Sequence, residues 1–175
     1  DVIKYFMETE LYPFQTSCYF IRTELIDLIL QSKLPAFIEN SKVGDLPLML
    51  YLCAKGDLFY IGDTMSCYRM NSVGSATQRL NKNAKKIPLY YKNYIDILNE
   101  YNKYTEYKYD QYIQEGIKHI EFCIFQYYFD IKKMRDKKYK RIFKSMPLKK
   151  QIYYNISGAL PFAGNFYRYL RRKIL

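Results

Sequence analysis

The chain has 175 residues, of which 49% are hydrophobic and 26% are charged. These values allow one domain with a substantial core and exclude a disordered chain. Four cysteines without a CxxC spacing and a single histidine argue against a zinc site and a disulfide framework, so a reducing, cytoplasmic setting is expected. No apolar run reaches the length of a membrane span.

The net charge of +11 is unevenly distributed along the chain. Residues 132–175 contain 14 Lys and Arg and one acid, Asp136, whereas residues 1–131 contain slightly more acids than bases. This asymmetry indicates either an anionic partner or surface, or a solvated basic tail.

Short elements are predicted at the start of the chain. Residues 14–22 are rich in β-branched and aromatic side chains and predict a strand. Residues 23–32 predict a short amphipathic helix with Thr23 as its N-cap, and residues 33–44 predict a loop.

The best-defined element begins at Asp45. Asp at the N-cap, Pro47 in the first turn, Lys55 in the last turn and Gly56 after it predict a helix. Because this helix is apolar on nearly every side, it is expected to be buried.

Two further short strands are predicted after this helix, at residues 57–61 and 64–70. A Gly62-Asp63 turn between them fits a hairpin. The polar residues 71–86 predict a loop.

The second half of the chain predicts helices. Pro88 opens one that continues to about residue 104. Residues 109–134 predict another, with a stripe typical of core packing or, alternatively, of a dimer seam. The stripe comprises Ile113, Ile117, Ile120, Ile124, Tyr127, Ile131 and Met134. Shorter helices are predicted at residues 137–145, 147–156 and 162–175.

A set of motifs within about residues 10–80 resembles the second half of bacterial family 2 glycosyltransferases. The motifs occur in the family's order and spacing: Thr16-Ser17, Asp45, Gly56, Phe59-Tyr60-Ile61, Tyr68-Arg69 and Gly74-Ser75. The resemblance implies an inverting enzyme with the α/β fold called GT-A, present here incompletely. The chain itself is expected to be predominantly α-helical, with a few short strands in its first 70 residues.

The family's other half carries the sugar-nucleotide site and an Asp-x-Asp metal motif. This chain contains neither a Gly-rich phosphate loop nor an Asp-x-Asp triplet. The resemblance therefore implies a nucleotide sugar and a divalent metal, Mg or Mn, in the parent enzyme. No metal ligands are expected in this chain, which is predicted to be inactive alone.

By this resemblance Asp45 is the catalytic base, which removes the proton of the acceptor hydroxyl as that oxygen attacks the anomeric carbon. A base must be ionised and within hydrogen-bond reach of the hydroxyl, and a helix N-terminus favours the ionised form. The alternative is that Asp45 only caps its helix.

Five further residues are implied in substrate binding. Thr16 and Ser17 are expected near the donor sugar or the acceptor. Arg69, Asn71 and Ser75 are expected on the diphosphate side, although Arg69 has the alternative of a structural salt bridge.

These considerations divide the chain into an acceptor-side catalytic region, residues 1–80, and a basic helical extension, residues 81–175. The expected partners are a nucleotide sugar, a saccharide or lipid-linked saccharide acceptor, and a membrane surface. The expected location is peripheral, at the cytoplasmic face of the plasma membrane. A non-catalytic helical interaction module and a basic nucleic-acid-binding protein are the alternatives, although no nucleic-acid-binding motif is visible. The oligomeric state is left open.

Overall fold

The computed structural model describes residues 2–8, 16–65, 67, 75, 83 and 86–159. This part of the chain is mostly helical, as predicted, and contains no strand. Its α-helices are α1 (Val2–Glu8), α2 (Thr23–Gln31), α3 (Ala36–Glu39), α4 (Asp45–Lys55), α5 (Ile87–Tyr104), α6 (Asp110–Tyr128), α7 (Ile131–Met134), α8 (Lys140–Ser145) and α9 (Leu148–Ala159). Two 3₁₀ turns span Thr16–Cys18 and Lys137–Tyr139. Within the described ranges, no helix is both long and apolar enough to cross a bilayer.

The chain forms two units, one ending at Ile120 and the other beginning at Glu121. The first unit therefore includes α5 and most of α6 as well as the segment that resembles the transferase. The predicted boundary at residue 80 separates a catalytic region from a basic extension, which is a functional division. It stays a prediction.

The core of the first unit lies against α4. Leu46 and Leu50 of this helix are almost fully buried, as are Leu98 of α5 and Ile113 of α6. The predicted burial of α4 is therefore observed on its Leu46 and Leu50 side. Ile113 begins the predicted stripe, and its next two members, Ile117 and Ile120, are buried in the same core, whereas Tyr127 is exposed.

Aromatic side chains extend this core towards the loop before α4. The loop predicted at residues 33–44 contains the one-turn helix α3, whose Phe37 is buried. The Phe37 ring packs edge-on against Tyr101, with 5.4 Å between centroids, and at the same distance from Tyr104. These contacts join the loop to α5.

The helix predicted over residues 109–134 is interrupted near its end. Phe129 has a φ of 60°, and the Asp130 N–H donates to the Phe125 carbonyl at 2.9 Å. This 6→1 hydrogen bond is typical of a Schellman C-cap. The Asp130 carboxylate then caps α7 by accepting from the Lys133 N–H at 3.1 Å. The prediction of one continuous helix over residues 109–134 is wrong, because hydrophobic periodicity does not reveal these two caps.

The strands predicted at residues 14–22 and 57–61 are wrong for the residues described. Thr16–Cys18 forms a 3₁₀ turn, and residues 57–61 are irregular. A strand is stabilised by hydrogen bonds to a neighbouring strand, and a lone hairpin is marginal in water. The described chain offers no such neighbour. Most of the strand predicted at residues 64–70 and the loop at 71–86, and all of the helix at 162–175, lie outside the described residues.

The second unit has its own smaller core. Phe122 from α6, Met134 from α7, Tyr139 from the second 3₁₀ turn and Ile142 from α8 are buried together. The Tyr139 hydroxyl donates to Glu121 Oε2 at 2.6 Å. The short helices predicted at 137–145 and 147–156 are confirmed as this turn with α8, and as α9.

Two buried tyrosines are expected to respond in opposite ways when their hydroxyls are removed. Tyr101 is fully buried and its hydroxyl has no hydrogen-bond partner among the described residues. Tyr101→Phe should therefore raise the free energy of unfolding by about 1 kcal/mol, because an unsatisfied buried polar group is removed. Tyr139→Phe should lower the free energy of unfolding by about 1.5–3 kcal/mol, because a hydrogen bond to a carboxylate is lost. Urea unfolding of both variants tests the pair, and a destabilised Tyr101→Phe protein would show that this hydroxyl is satisfied.

Candidate active site

The candidate base lies at the start of α4. Asp45 is the first residue of this helix rather than its N-cap, a position taken by Gly44. The Asp45 side chain still satisfies a free amide of the first turn, because its Oδ1 accepts from the Leu46 N–H at 2.9 Å. Among the described residues, the second oxygen, Oδ2, makes no hydrogen bond. Asp45 is half-exposed, and the contact with the Leu46 N–H anchors one oxygen of its carboxylate.

The loop that leads to Asp45 is held by hydrogen bonds within itself and by one hydrogen bond to α5. Ser41 Oγ donates to the Val43 carbonyl at 2.6 Å and accepts from the Val43 N–H at 3.1 Å. The Lys42 N–H donates to Asn93 Oδ1 of α5 at 3.3 Å. Val43 is itself buried in the core. Asn93 is therefore a positioning residue for the loop, and nothing in the local sequence around Asn93 reveals this role.

Tyr19 lies near the Asp45 carboxylate. Burial raises the pKa of the Tyr19 hydroxyl to about 12, and the negative charge of Asp45 adds to the rise. This phenol stays protonated at neutral pH and is able to donate a hydrogen bond. Sequence reasoning singled out the neighbouring Thr16-Ser17 pair instead, because Tyr19 carries no motif.

The segment from Thr16 to Tyr19 comes close to α4 through Tyr19. Ser17 is exposed within the 3₁₀ turn, so its hydroxyl is accessible to a ligand. The backbone of Thr16 belongs to the same turn, whereas its side chain lies outside the described part. Tyr19, which follows this turn, packs against the core that includes Leu46 and Leu50 of α4.

The residues predicted for the diphosphate side are largely beyond the described structure. Arg69 and Asn71 lie outside the described residues. Ser75 is described and is half-exposed. Their expected roles stay predictions.

Large apolar side chains are exposed on the same unit. Phe59 is 88% exposed, and Tyr60, Ile61 and Met65 follow it on the surface. On α2, which has no buried residue, Leu30 is 76% exposed. Leu28, which belongs to the apolar face predicted for α2, is 39% exposed, so this face is only partly covered by the rest of the described unit.

Within the ranges that the structure describes, no group of three or more His, Cys, Asp or Glu side chains is arranged to hold a metal ion. Among the described residues, Asp45 belongs to no such group.

Comparisons with protein-family models, with curated proteins and with solved structures find no match to this chain.

Proposed function

We propose that this chain is the acceptor-side part of an inverting glycosyltransferase of the family 2 type. In the parent enzyme it would help to transfer a glycosyl unit from a nucleotide sugar to a saccharide or lipid-linked saccharide hydroxyl. The proposal is carried by one observation: Asp45 is half-exposed at the start of a well-packed helix, and the Leu46 N–H anchors one oxygen of its carboxylate.

In the proposed reaction Asp45 acts as the base. The carboxylate accepts the proton of the acceptor hydroxyl while that oxygen forms a bond to the anomeric carbon. The bond from this carbon to the nucleoside diphosphate breaks on the opposite side, so that the configuration inverts. Tyr19, whose hydroxyl is neutral and senses the charge of Asp45, and the exposed Ser17 are consistent with this role.

The exposed apolar segments support the idea that the fold is shared with another part of the enzyme. A sequence that favours a strand but is irregular and exposed, as around Phe59, is expected when its sheet is built elsewhere. The nucleotide sugar and a Mg or Mn ion belong, in this proposal, to that other part. This chain alone would then turn over nothing.

The proposed location is peripheral, at the cytoplasmic face of the plasma membrane. The basic second unit supports this location through attraction to anionic headgroups. A helical interaction module without catalysis is the alternative if the parent protein has no transfer activity.

The function is tested by reading the coding sequence upstream of Asp1 and assaying the protein that it encodes. Alternating strands and helices followed by an Asp-x-Asp motif, together with transfer of a labelled sugar, are the expected result. An upstream sequence without a nucleotide-binding pattern, or a complete protein that transfers no sugar from a panel of nucleotide sugars, would contradict the proposal.

A further inference from the structure

An apolar stripe runs along the outward face of α9. Leu148, Ile152 and Ile156 recur every four residues and are 69%, 47% and 50% exposed. The opposite face of α9 is fixed inward, because Tyr153 and Tyr154 pack on the Phe129 ring at 5.6 and 5.3 Å between centroids. The stripe is therefore held outward by the packing of the helix.

A basic cleft lies in the same unit. Its ionisable lining residues are all cationic: Arg135, Lys137, Lys140 and Lys144. Arg135 donates to the neutral Asn155 side chain at 2.6 Å, a contact that leaves its charge unbalanced. The ion pairs of the described second unit, Lys133 with Asp130 and Lys138 with Glu121, involve other lysines. Among the described residues, no ion pair joins these four cations to a carboxylate, so the cleft concentrates positive charge.

Gln151 joins the cleft to the stripe. Gln151 lines the cleft. It lies three residues after Leu148 on α9, so the two side chains are neighbours on the helix surface. Its Nε2 donates to the carbonyls of Lys144 and Met146 at 3.0 and 2.7 Å, which ties the end of α8 to α9. The basic cleft and the apolar stripe are consequently adjacent parts of one surface.

We infer that this surface docks on an anionic phospholipid bilayer, with the stripe entering the headgroup boundary and the cleft receiving a lipid phosphate. Aliphatic side chains beside clustered cations have the chemistry of an interfacial helix. Nucleic acid would use the cations but gains little from aliphatic side chains, which offer no stacking surface. A second copy of the surface would be repelled by its like charge.

This inference specifies which surface would place the protein at the membrane. Its meaning for a transferase rests on the proposed function. Lipid binding is measured without any transfer reaction, so the two claims fail separately. A protein that binds vesicles but transfers no sugar would sink only the transferase proposal.

The experiment is co-sedimentation of the full chain with phosphatidylcholine vesicles, with and without phosphatidylglycerol. Binding to the anionic vesicles alone is expected. The combined variant Leu148→Ser, Ile152→Ser and Ile156→Ser should weaken this binding about tenfold or more. The combined variant Lys137→Gln, Lys140→Gln and Lys144→Gln should weaken it by roughly tenfold to a hundredfold, and less so at high salt.

Matched control variants carry equivalent changes on the first unit. Lys33→Gln, Lys86→Gln and Lys92→Gln remove the same charge from exposed positions, and Leu30→Ser with Leu89→Ser remove exposed leucines. Both controls should bind vesicles within about twofold of the unaltered chain, because counterions screen charges outside the contact surface. Circular dichroism checks that all four variants keep their helices.

Several results would overturn the inference. One is loss of binding in the control lysine variant as large as in the cleft variant. Another is equal binding to neutral vesicles. Tight binding to duplex RNA at matched salt that survives in the stripe variant would assign the surface to nucleic acid. Saturable calorimetric binding of glycerol phosphate that the stripe variant retains would assign the cleft to a soluble phosphate. A concentration-dependent dimer that the stripe variant abolishes would assign the stripe to a second copy.

Discussion

Replacing Asp45 by Asn in the parent enzyme is expected to reduce glycosyl transfer by about 10²- to 10⁴-fold, the usual contribution of general-base catalysis. Asn is close to Asp in shape and its amide oxygen can still accept from the Leu46 N–H, so the start of α4 should be preserved. An uncharged amide cannot take the acceptor proton. Binding of the nucleotide sugar should therefore be unchanged while the chemical step is lost.

The control for this variant is Asp57→Asn, which removes an exposed carboxylate just after the same helix. It should transfer sugar at the normal rate. Transfer with labelled donor and donor binding by calorimetry are measured on both variants. Full transfer activity in Asp45→Asn would remove Asp45 as the base and leave it a role in capping α4.

Replacing Leu50 by Ala is expected to lower the free energy of unfolding by about 2–5 kcal/mol, the range for a large-to-small change in a packed core. Leu50 is fully buried on α4 and packs in the cluster that includes Leu98 and Ile113. The substitution removes apolar contacts and leaves a cavity that the surrounding helices can fill only in part.

Leu30→Ala is the matched control, since the same atoms are removed from an exposed position on α2. This change should alter the free energy of unfolding by no more than about 0.5 kcal/mol. Urea unfolding measures both. A Leu50→Ala protein as stable as Leu30→Ala would contradict the placement of α4 in the core.

Local sequence was sufficient to predict the helices with strong end signals. Pro88 is buried within the first turn of α5, which ends at Tyr104 as expected. Gly56 follows α4, and the burial of Leu50 agrees with the apolar composition of that helix. In each case the information lies within one or two turns of the helix itself.

Features that depend on distant parts of the chain were not predicted. The segment at 57–61 has strand-forming side chains, yet a strand also needs a neighbour, which local composition does not supply. The end of α6 at Phe129 depends on a bulky residue adopting a positive φ, a conformation that sequence patterns do not favour.

The candidate site was predicted only in part for the same reason. Asp45 was found because it begins a well-defined helix within a set of motifs. Tyr19 and Asn93 come from other elements: Tyr19 senses the charge of Asp45, and Asn93 accepts a hydrogen bond from the Lys42 N–H. Such contacts arise from tertiary packing, and neither residue belongs to a local pattern.

The central claim, that this chain is an acceptor-side part without the donor site, is tested most directly by calorimetric titration with a nucleoside diphosphate and Mn²⁺. The chain alone is compared with the parent protein under the same conditions. The account predicts saturable binding by the parent and none by the chain. Tight binding by the chain alone would contradict it, because the donor site would then lie within these 175 residues.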